Sequence, residues 1–255
     1  MTTLSAPDEQ RLERQGEKMK SAKGSEKTRL QLSVRPITLV DQIAEALIET
    51  AAAGRILPGD RVVEVEVARE LNISRVPVRE ALRLLQSQGI VVNMPYKGMR
   101  LMDVTPKKIH ELLIVRAGLE RIAAHEAVTL YHRDTEVFAP IYAALEDMRR
   151  ATIDGNGLAH ARADIAFHRA ICQACGNEVL LEIWETLSRK LTIIFGLAAL
   201  PTRLDYVYKE HVAFFEILKS SNPAALDQAV DDHVIRSTEE IDFDRLIAER
   251  RKNHR

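Results

Sequence analysis

The 255-residue chain is short of cysteine: Cys172 and Cys175 are its only two thiols, too few for a disulfide framework. Aromatic residues make up only 5%, and because strands draw heavily on them, helices are favoured over sheets. Neither sign of charge dominates. Lys and Arg total 36 against 37 Asp and Glu, a formal net charge of −1, so any surface for a polyanion must be a local patch. Long hydrophobic runs are missing too. The longest uncharged apolar stretch, Leu191 to Leu200, falls far below the roughly 20 residues that cross a bilayer, which excludes an integral membrane helix. The first 30 residues are charged and hold no apolar h-region, so no secretory signal is expected and the expected location is cytoplasmic. What is there is ordinary for a soluble globular protein: 46% hydrophobic and 29% charged residues, in a length that suits two domains.

Residues 1–33 hold seven basic and five acidic side chains and no sustained apolar period, which predicts a mobile arm with at most a transient helix from Asp8 to Lys20. A domain over 34–104 follows. Ile43, Leu47 and Ala51 mark a first amphipathic helix ended near Gly54, and Pro58-Gly59 a turn. Arg61-Val62-Val63 reads as a small strand, and Val67, Ala68 and Leu71 as a short second helix broken at Asn72. Ser74 stands as N-cap of a third helix through Val78, Ala81, Leu82 and Leu85, with Pro77 in its first turn and Gly89 just past its end. Ile90-Val91-Val92 and Met99 to Val104, joined by Pro95-Tyr96-Lys97-Gly98, read as a hairpin. That order is a winged helix-turn-helix. Thr105-Pro106 opens the remainder, 105–255, where helical periodicity is broken near Arg133, Gly155, Gly176, Pro201 and Asn222. About six helices are expected there, in an all-α bundle, with Pro140 starting or kinking one of them. The fold class is therefore mainly α.

The third helix carries Arg75, Arg79 and Arg83 at i, i+4, i+8, a stripe that drifts only about 40° per step. Val78, Leu82 and Leu85, about a quarter turn away, supply the face that docks on the first two helices. Residues 31–105 balance nine basic against nine acidic side chains, yet Ser74 to Leu85 holds three Arg against Glu80 alone. Positive charge is concentrated where this fold presents it, and Arg forks fit guanine edges and phosphates. Lys97 and Gly98 at the hairpin tip can reach the flanking backbone or minor groove. Gly59-Asp-Arg-Val-Val-Glu64, Ala68, Leu71, Ser74-Arg75-Val76-Pro77-Val78-Arg79-Glu80-Ala81-Leu82-Arg83, Gly89 and Lys97-Gly98 together resemble the DNA-binding head of the GntR family of bacterial transcription regulators. The resemblance implies a homodimer on a short pseudo-palindromic operator in double-stranded DNA, with Ser74, Arg75, Arg79 and Gly98 at positions matching DNA contacts. Where the family commonly has Thr this chain has Val76, which leaves an apolar contact such as one to a thymine methyl.

Asp164 and His168 lie at i, i+4, close enough on one helical face to share a cation, although such a pair also serves as a plain core or surface hydrogen bond. His211 lies nine residues before Ser220, and His233 eleven after Asn222, an N-cap with Pro223 at N1. Antiparallel packing of the two helices brings these imidazoles within about one turn in height, so all four donors can converge. One carboxylate with three imidazoles suits Zn, Ni, Mn or Fe better than Ca or Mg. This arrangement is similar to the FadR C-terminal ligand-binding domain, FCD, whose metal-binding members use Asp-x-x-x-His and two later His residues. The similarity covers about residues 105–241 and implies that open positions on a divalent transition metal receive a small organic acid. It offers Arg116, and less directly Arg189, as effector-binding residues; Arg116 can equally be an ion pair, with Glu120 one turn away, and for Arg189 the ion pair is the favoured reading.

Cys172 and Cys175 read as core thiols, and Trp184 with Ile183, Leu187 and Leu191 as core. His110, His125, His132, His160 and His254 fall in no ligand pattern. The function expected is a metabolite-responsive DNA-binding regulator, not an enzyme, in which a carboxylate effector re-orients two heads on half-sites about one DNA turn apart. The alternatives are a metalloenzyme with an Asp/His₃ site, or a regulator whose metal is structural or itself the signal.

Overall fold

A computed structural model of the chain describes residues 38–220, 222–239 and 241–253. The arm expected over 1–33 lies outside the described residues, as does His254. The first helix, α1 (Leu39–Ala52), starts in a capping box: Thr38 accepts from the Asp41 amide while the Asp41 carboxylate takes the Thr38 amide. Its apolar stripe, Ile43, Ala44, Ile48 and Ala51, is buried. Next come α2 (Glu64–Glu70), α3 (Arg75–Ser87) and the antiparallel pair β1 (Val91–Met94) and β2 (Gly98–Leu101), in register from Val91 opposite Leu101 to Met94 opposite Gly98. The strand expected at Arg61-Val62-Val63 shrinks to a single bridge, Arg61 to Arg100, because the chain turns straight into α2 at Glu64. Val78, Ala81, Leu82 and Leu85 of α3 are buried, as the stripe demands.

The bundle begins at α4 (Pro106–Tyr131), capped by Thr105, and continues with α5 (Ala139–Ile153), α6 (Gly157–Ala174), α7 (Glu178–Ala198) and α8 (Leu204–Ser220). Pro140 sits in the first turn of α5 and so starts that helix. Asn156, Asn177 and Asn222 each accept an amide three residues on, so the predicted breaks are N-caps. After α9 (Pro223–Val230) the chain passes through a π-helical turn, Asp231–Arg236, into α10 (Ser237–Glu239), and α11 (Phe243–Asn253) closes the described chain.

Head and bundle share one continuous core. Gly196 of α7 lies so close to α1 that a Cβ there would stand 2.6 Å from both the Cβ and the carbonyl oxygen of Ala52. Ion pairs flank this seam, Arg162 to Glu49 at 2.7 Å and Arg189 to Glu45 at 3.2 Å. From α11, Arg250 reaches the Leu197 carbonyl at 3.1 Å and Arg251 pairs with Asp60 at 3.0 Å.

Candidate functional site

Two sets of side chains stand out, one on the head and one inside the bundle. On the head, Ser74 occupies the N-cap of α3, but its hydroxyl accepts no cap hydrogen bond. Arg75, Val76, Arg79 and Arg83 are all exposed, Val76 at 66%. Arg75 donates from Nε to Glu64 at 2.8 Å, and Arg79 donates from Nε and Nη2 to the same carboxylate at 3.0 Å each. The two arginines hold the Glu64 carboxyl down at about 2, Arg79 contributing most. Arg83 stands apart and turns to Glu80 at 2.9 Å. At the hairpin tip Lys97 and Gly98 are exposed, Gly98 at φ +74, and Tyr96 is wholly exposed at φ 62. Sequence reasoning missed Glu64, since no helical or strand period links it to arginines eleven and fifteen residues later.

Inside the bundle, α6 supplies Asp164 and His168, α8 supplies His211 and the π turn supplies His233. Ligand atoms of His168, His211 and His233 all lie within 4.8 Å of one another, and the three rings are buried. His168 Nε2 is 3.3 Å from His233 Nε2, and Asp164 Oδ2 is 3.3 Å from His211 Nε2. The second Asp164 oxygen is 4.0 Å from His168 Nε2. Neighbouring ligands of one ion with bonds of about 2.1 Å stand about 3.0 to 3.4 Å apart, so the two 3.3 Å gaps fit and the 4.0 Å one is wider.

The protons fit as well. His168 Nδ1 lies 2.7 Å from Glu120, and His211 Nδ1 lies 2.8 Å from the Val207 carbonyl. Carbonyls and ionised carboxylates only accept, so both Nδ1 atoms carry a hydrogen, which leaves each Nε2 free to serve as the ligand atom of a neutral ring. Burial, reinforced by Arg116, lowers the His168 pKa, and burial with the other two imidazoles lowers that of His233 well below the usual value. Burial would raise the Asp164 carboxyl, but His211, His168 and Arg116 override it and keep it ionised. Asp164 Oδ1, His211 Nε2 and His233 Nδ1 are buried without hydrogen-bond partners. Buried acceptors left without donors in this way are what a cation held among them would satisfy.

Glu120 anchors this set from α4. Burial would raise its carboxyl, yet Arg116 and His168 hold it down at about 2. Arg116 donates to it at 2.7 Å and Trp184 Nε1 at 3.0 Å. Carboxylate-to-imidazole support of this kind fixes a metal ligand's tautomer and orientation. Phe214 stacks on His233 at 4.8 Å, and Phe167 meets His211 edge-on at 5.0 Å, making a dry floor. Trp184, read from sequence as core, is also a donor. Its link to Glu120 spans 64 residues, which only tertiary structure reveals.

A cavity of about 80 Å³ opens beside the four donors, lined also by Arg116, His160, Phe195, Arg203, Glu210 and Thr238. Arg116 is therefore both the partner of Glu120 and a cavity wall. Arg189 does not join it: the expected effector role meets a side chain turned away to Glu45 and to Gln88 at 3.0 Å, because its face of α7 packs on the head. Cys172 and Cys175 are buried free thiols, and burial pushes both pKa values up.

Two family models match the chain, one described as "Bacterial regulatory proteins, gntR family" over residues 39–101 and one as "FCD domain" over 111–236. The "Uncharacterized HTH-type transcriptional regulator in the TAR-I ttuE-ttuC' intergenic region" of Agrobacterium vitis is 36% identical over 125 residues, 48% of this chain and 71% of that protein. The chain belongs to the GntR family. This GntR protein is also 29% identical, over 77% of its length and 86% of the relative, to the "Probable D-xylose utilization operon transcriptional repressor" of Paenarthrobacter nicotinovorans. The gluconate operon transcriptional repressor of Bacillus subtilis is 26% identical over 74% of this chain and 79% of that one. Among solved structures, E. coli McbR/YncC matches with a TM-score of 0.67 at 21% identity, covering 86% of this chain and 100% of that chain, which shows the fold. The matched families and relatives are transcription regulators rather than enzymes, which removes the metalloenzyme alternative. The GntR chain is a DNA-binding transcription regulator with an effector-binding FCD domain. Among the described residues no helix is long and apolar enough to cross a membrane.

Proposed function

We propose that this regulator senses a small carboxylate through a divalent transition metal ion held by Asp164, His168, His211 and His233, and passes the signal to a DNA-reading head. The observation that carries the metal is the convergence of three buried imidazoles beside the Asp164 carboxylate, with Asp164 Oδ1, His211 Nε2 and His233 Nδ1 left without hydrogen-bond partners. Three imidazoles with one carboxylate suit Zn, Ni, Mn or Fe. A bound ion supplies open positions for the carboxylate. Arg116, already buried at the wall, adds positive charge to the cavity. About 80 Å³ is about half the volume of an engineered cavity that holds benzene, which favours a small acid. The kinship to a gluconate operon repressor supports acid sensing.

Arg75 and Arg79 would enter the major groove, with Ser74 on a phosphate, Val76 against a base methyl, Arg83 on the backbone, and Lys97 and Gly98 at the flank. A homodimer on a pseudo-palindromic operator, working in the cytoplasm, completes the proposal. Ile114, Val115 and Ile122 of α4 and Val179 and Ile183 of α7 are each at least half exposed, apolar surface of the kind a second copy would bury.

The test is elemental analysis paired with operator binding. The wild type should bind about one ion per chain, and His211→Ala with His233→Ala should abolish it. Chelation should then alter the response of operator affinity to added short-chain acids. Full metal content in the double variant removes the ligand set. An operator affinity that follows the metal but ignores every acid makes the metal structural or the signal itself.

A further inference from the structure

Arg61 and Arg100 face each other across the bridge that joins the chain before α2 to the β1–β2 hairpin. The hydrogen bonds straddle the pair, from the Val62 amide to the Met99 carbonyl at 2.9 Å and from the Leu101 amide to the Asp60 carbonyl at 3.0 Å. That is the narrow kind of antiparallel pair, whose Cα atoms stand about 4.5 Å apart and whose side chains leave on one face. Val62, Val91 and Leu101 at the alternate positions are buried, so the arginines lie on the face turned away from the core. Like charges set opposite each other in this way cost stability. The acids nearest in sequence do not offset them. Asp60 is taken by Arg251 at 3.0 Å and by the Leu57 amide, Asp103 lies 3.7 Å from Lys108, and among the described residues no carboxylate pairs with either arginine.

The two side chains part along the ladder. Arg100 turns back to donate from Nη1 to the Gly59 carbonyl at 2.6 Å, while its buried Nε has no partner. Arg61 turns the other way, towards the hairpin tip, where its Nη2 would stand 3.7 Å from a Cβ on Gly98. Gly98, at φ +74 and with no side chain, leaves that lane open. Arg61 is exposed, as are Lys97 and Gly98 beside it. Solvent alone suits an isolated surface arginine. Two in a narrow pair, with the local acids committed elsewhere, leave positive charge at the tip that an anion would offset.

We infer that Arg61 is a further DNA contact: its guanidinium, turned to the hairpin tip opposite Arg100, takes a backbone phosphate where the hairpin meets the duplex. The contact goes to phosphate and not to a base edge, because Arg61 springs from the strand behind the tip and so reaches the ridge of the groove that the tip enters. This inference rests on the placement of Lys97 and Gly98 at the flank of the operator and extends it to a residue outside the hairpin. A phosphate contact adds affinity on any sequence and releases about one counterion.

The test is a set of anisotropy titrations of full-length protein at several salt concentrations, on a duplex that the wild type selects from a random-sequence pool and on a scrambled duplex of the same length. Arg61→Ala should weaken binding to both by about three- to tenfold near physiological salt, leave their ratio unchanged, and lower the slope of log affinity against log salt by about one. Arg61→Lys, which keeps the charge, should keep most of that slope. The Tm of Arg61→Ala should be no lower than that of the wild type, since a like charge has been removed. Unchanged affinity and slope in Arg61→Ala, while Lys97→Ala weakens binding, would make Arg61 a solvated cation and sink this inference alone. If Lys97→Ala and Arg61→Ala are both silent, the placement of the hairpin on DNA fails first and this inference with it. A fall in the ratio would make the contact a base reading, and a lower Tm with an equal loss of affinity in Arg61→Lys would make it a structural one; either overturns the phosphate assignment.

Discussion

At the scale of single residues, the side chains that hold the proposed DNA-reading and ion-binding groups are acidic and lie far off in sequence. Glu64 takes Nε of Arg75 and Nε and Nη2 of Arg79, which leaves both Nη atoms of Arg75 and Nη1 of Arg79 outside these bonds. It orients the guanidinium planes without using up their forks. With its carboxyl at about 2 it stays charged throughout the working pH range. Glu64→Ala should therefore lower the ratio of operator to scrambled-DNA affinity by about tenfold in a gel-shift titration at fixed salt. Non-specific affinity should hold or rise, because a negative charge facing phosphate is gone. An unchanged ratio would make Glu64 a bystander. The arginine stripe was legible in the sequence because helical spacing is local, and so was the meeting of Asp164, His168, His211 and His233, through Asp-x-x-x-His and a turn. Glu120 and Glu64 were not, because a carboxylate 48 residues from its imidazole leaves no periodic trace.

At the scale of elements, caps and breaks were readable and departures from ideal helix were not. Asn156, Asn177 and Asn222 announce helix starts by side-chain chemistry that acts over three residues. The π turn at Asp231–Arg236 has no such local signature. It adds a residue to the turn that carries His233, taking up part of the offset between nine and eleven residues about the α8–α9 connection. Arg121 of α4 pairs with Asp231 at the start of that turn. The seam between α1 and α7 was equally hidden, since Gly196 reads as a weak point of a helix until Ala52 is placed against it. Gly to Ala inside a helix ordinarily stabilises by about 1 kcal/mol. At position 196 the added methyl meets backbone at 2.6 Å, so overpacking wins. Gly196→Ala should destabilise by about 1–3 kcal/mol, a fall in Tm of about 2–4 °C for each kcal/mol. A rise in Tm on thermal denaturation would refute the seam.

At the scale of the whole molecule, the buried imidazoles make metal-free stability depend on pH. His160, His168 and His233 all have pKa values lowered by burial, so the unfolded chain takes up protons near 6.5 that the folded chain resists. Stability should be greatest above that value and fall as pH drops through 6.5 towards 5. Glu120, held at about 2, contributes in full above its unfolded value of 4.5 and is lost between 4.5 and 2. Thermal unfolding of chelator-treated protein between pH 8 and 5 should therefore show Tm declining on the acid side. A Tm that holds or climbs on acidification would mean these rings are charged in the fold. One consequence belongs to the seam itself. Phe195 and Ala198 of α7 wall the cavity while Gly196 between them rests on Ala52 of the head. Such a joint, ribbed along its length, slides more readily than it swings, so news of an occupied chamber would reach the far end as a small shear of two interlocked rods, with no slack tether in which to lose it.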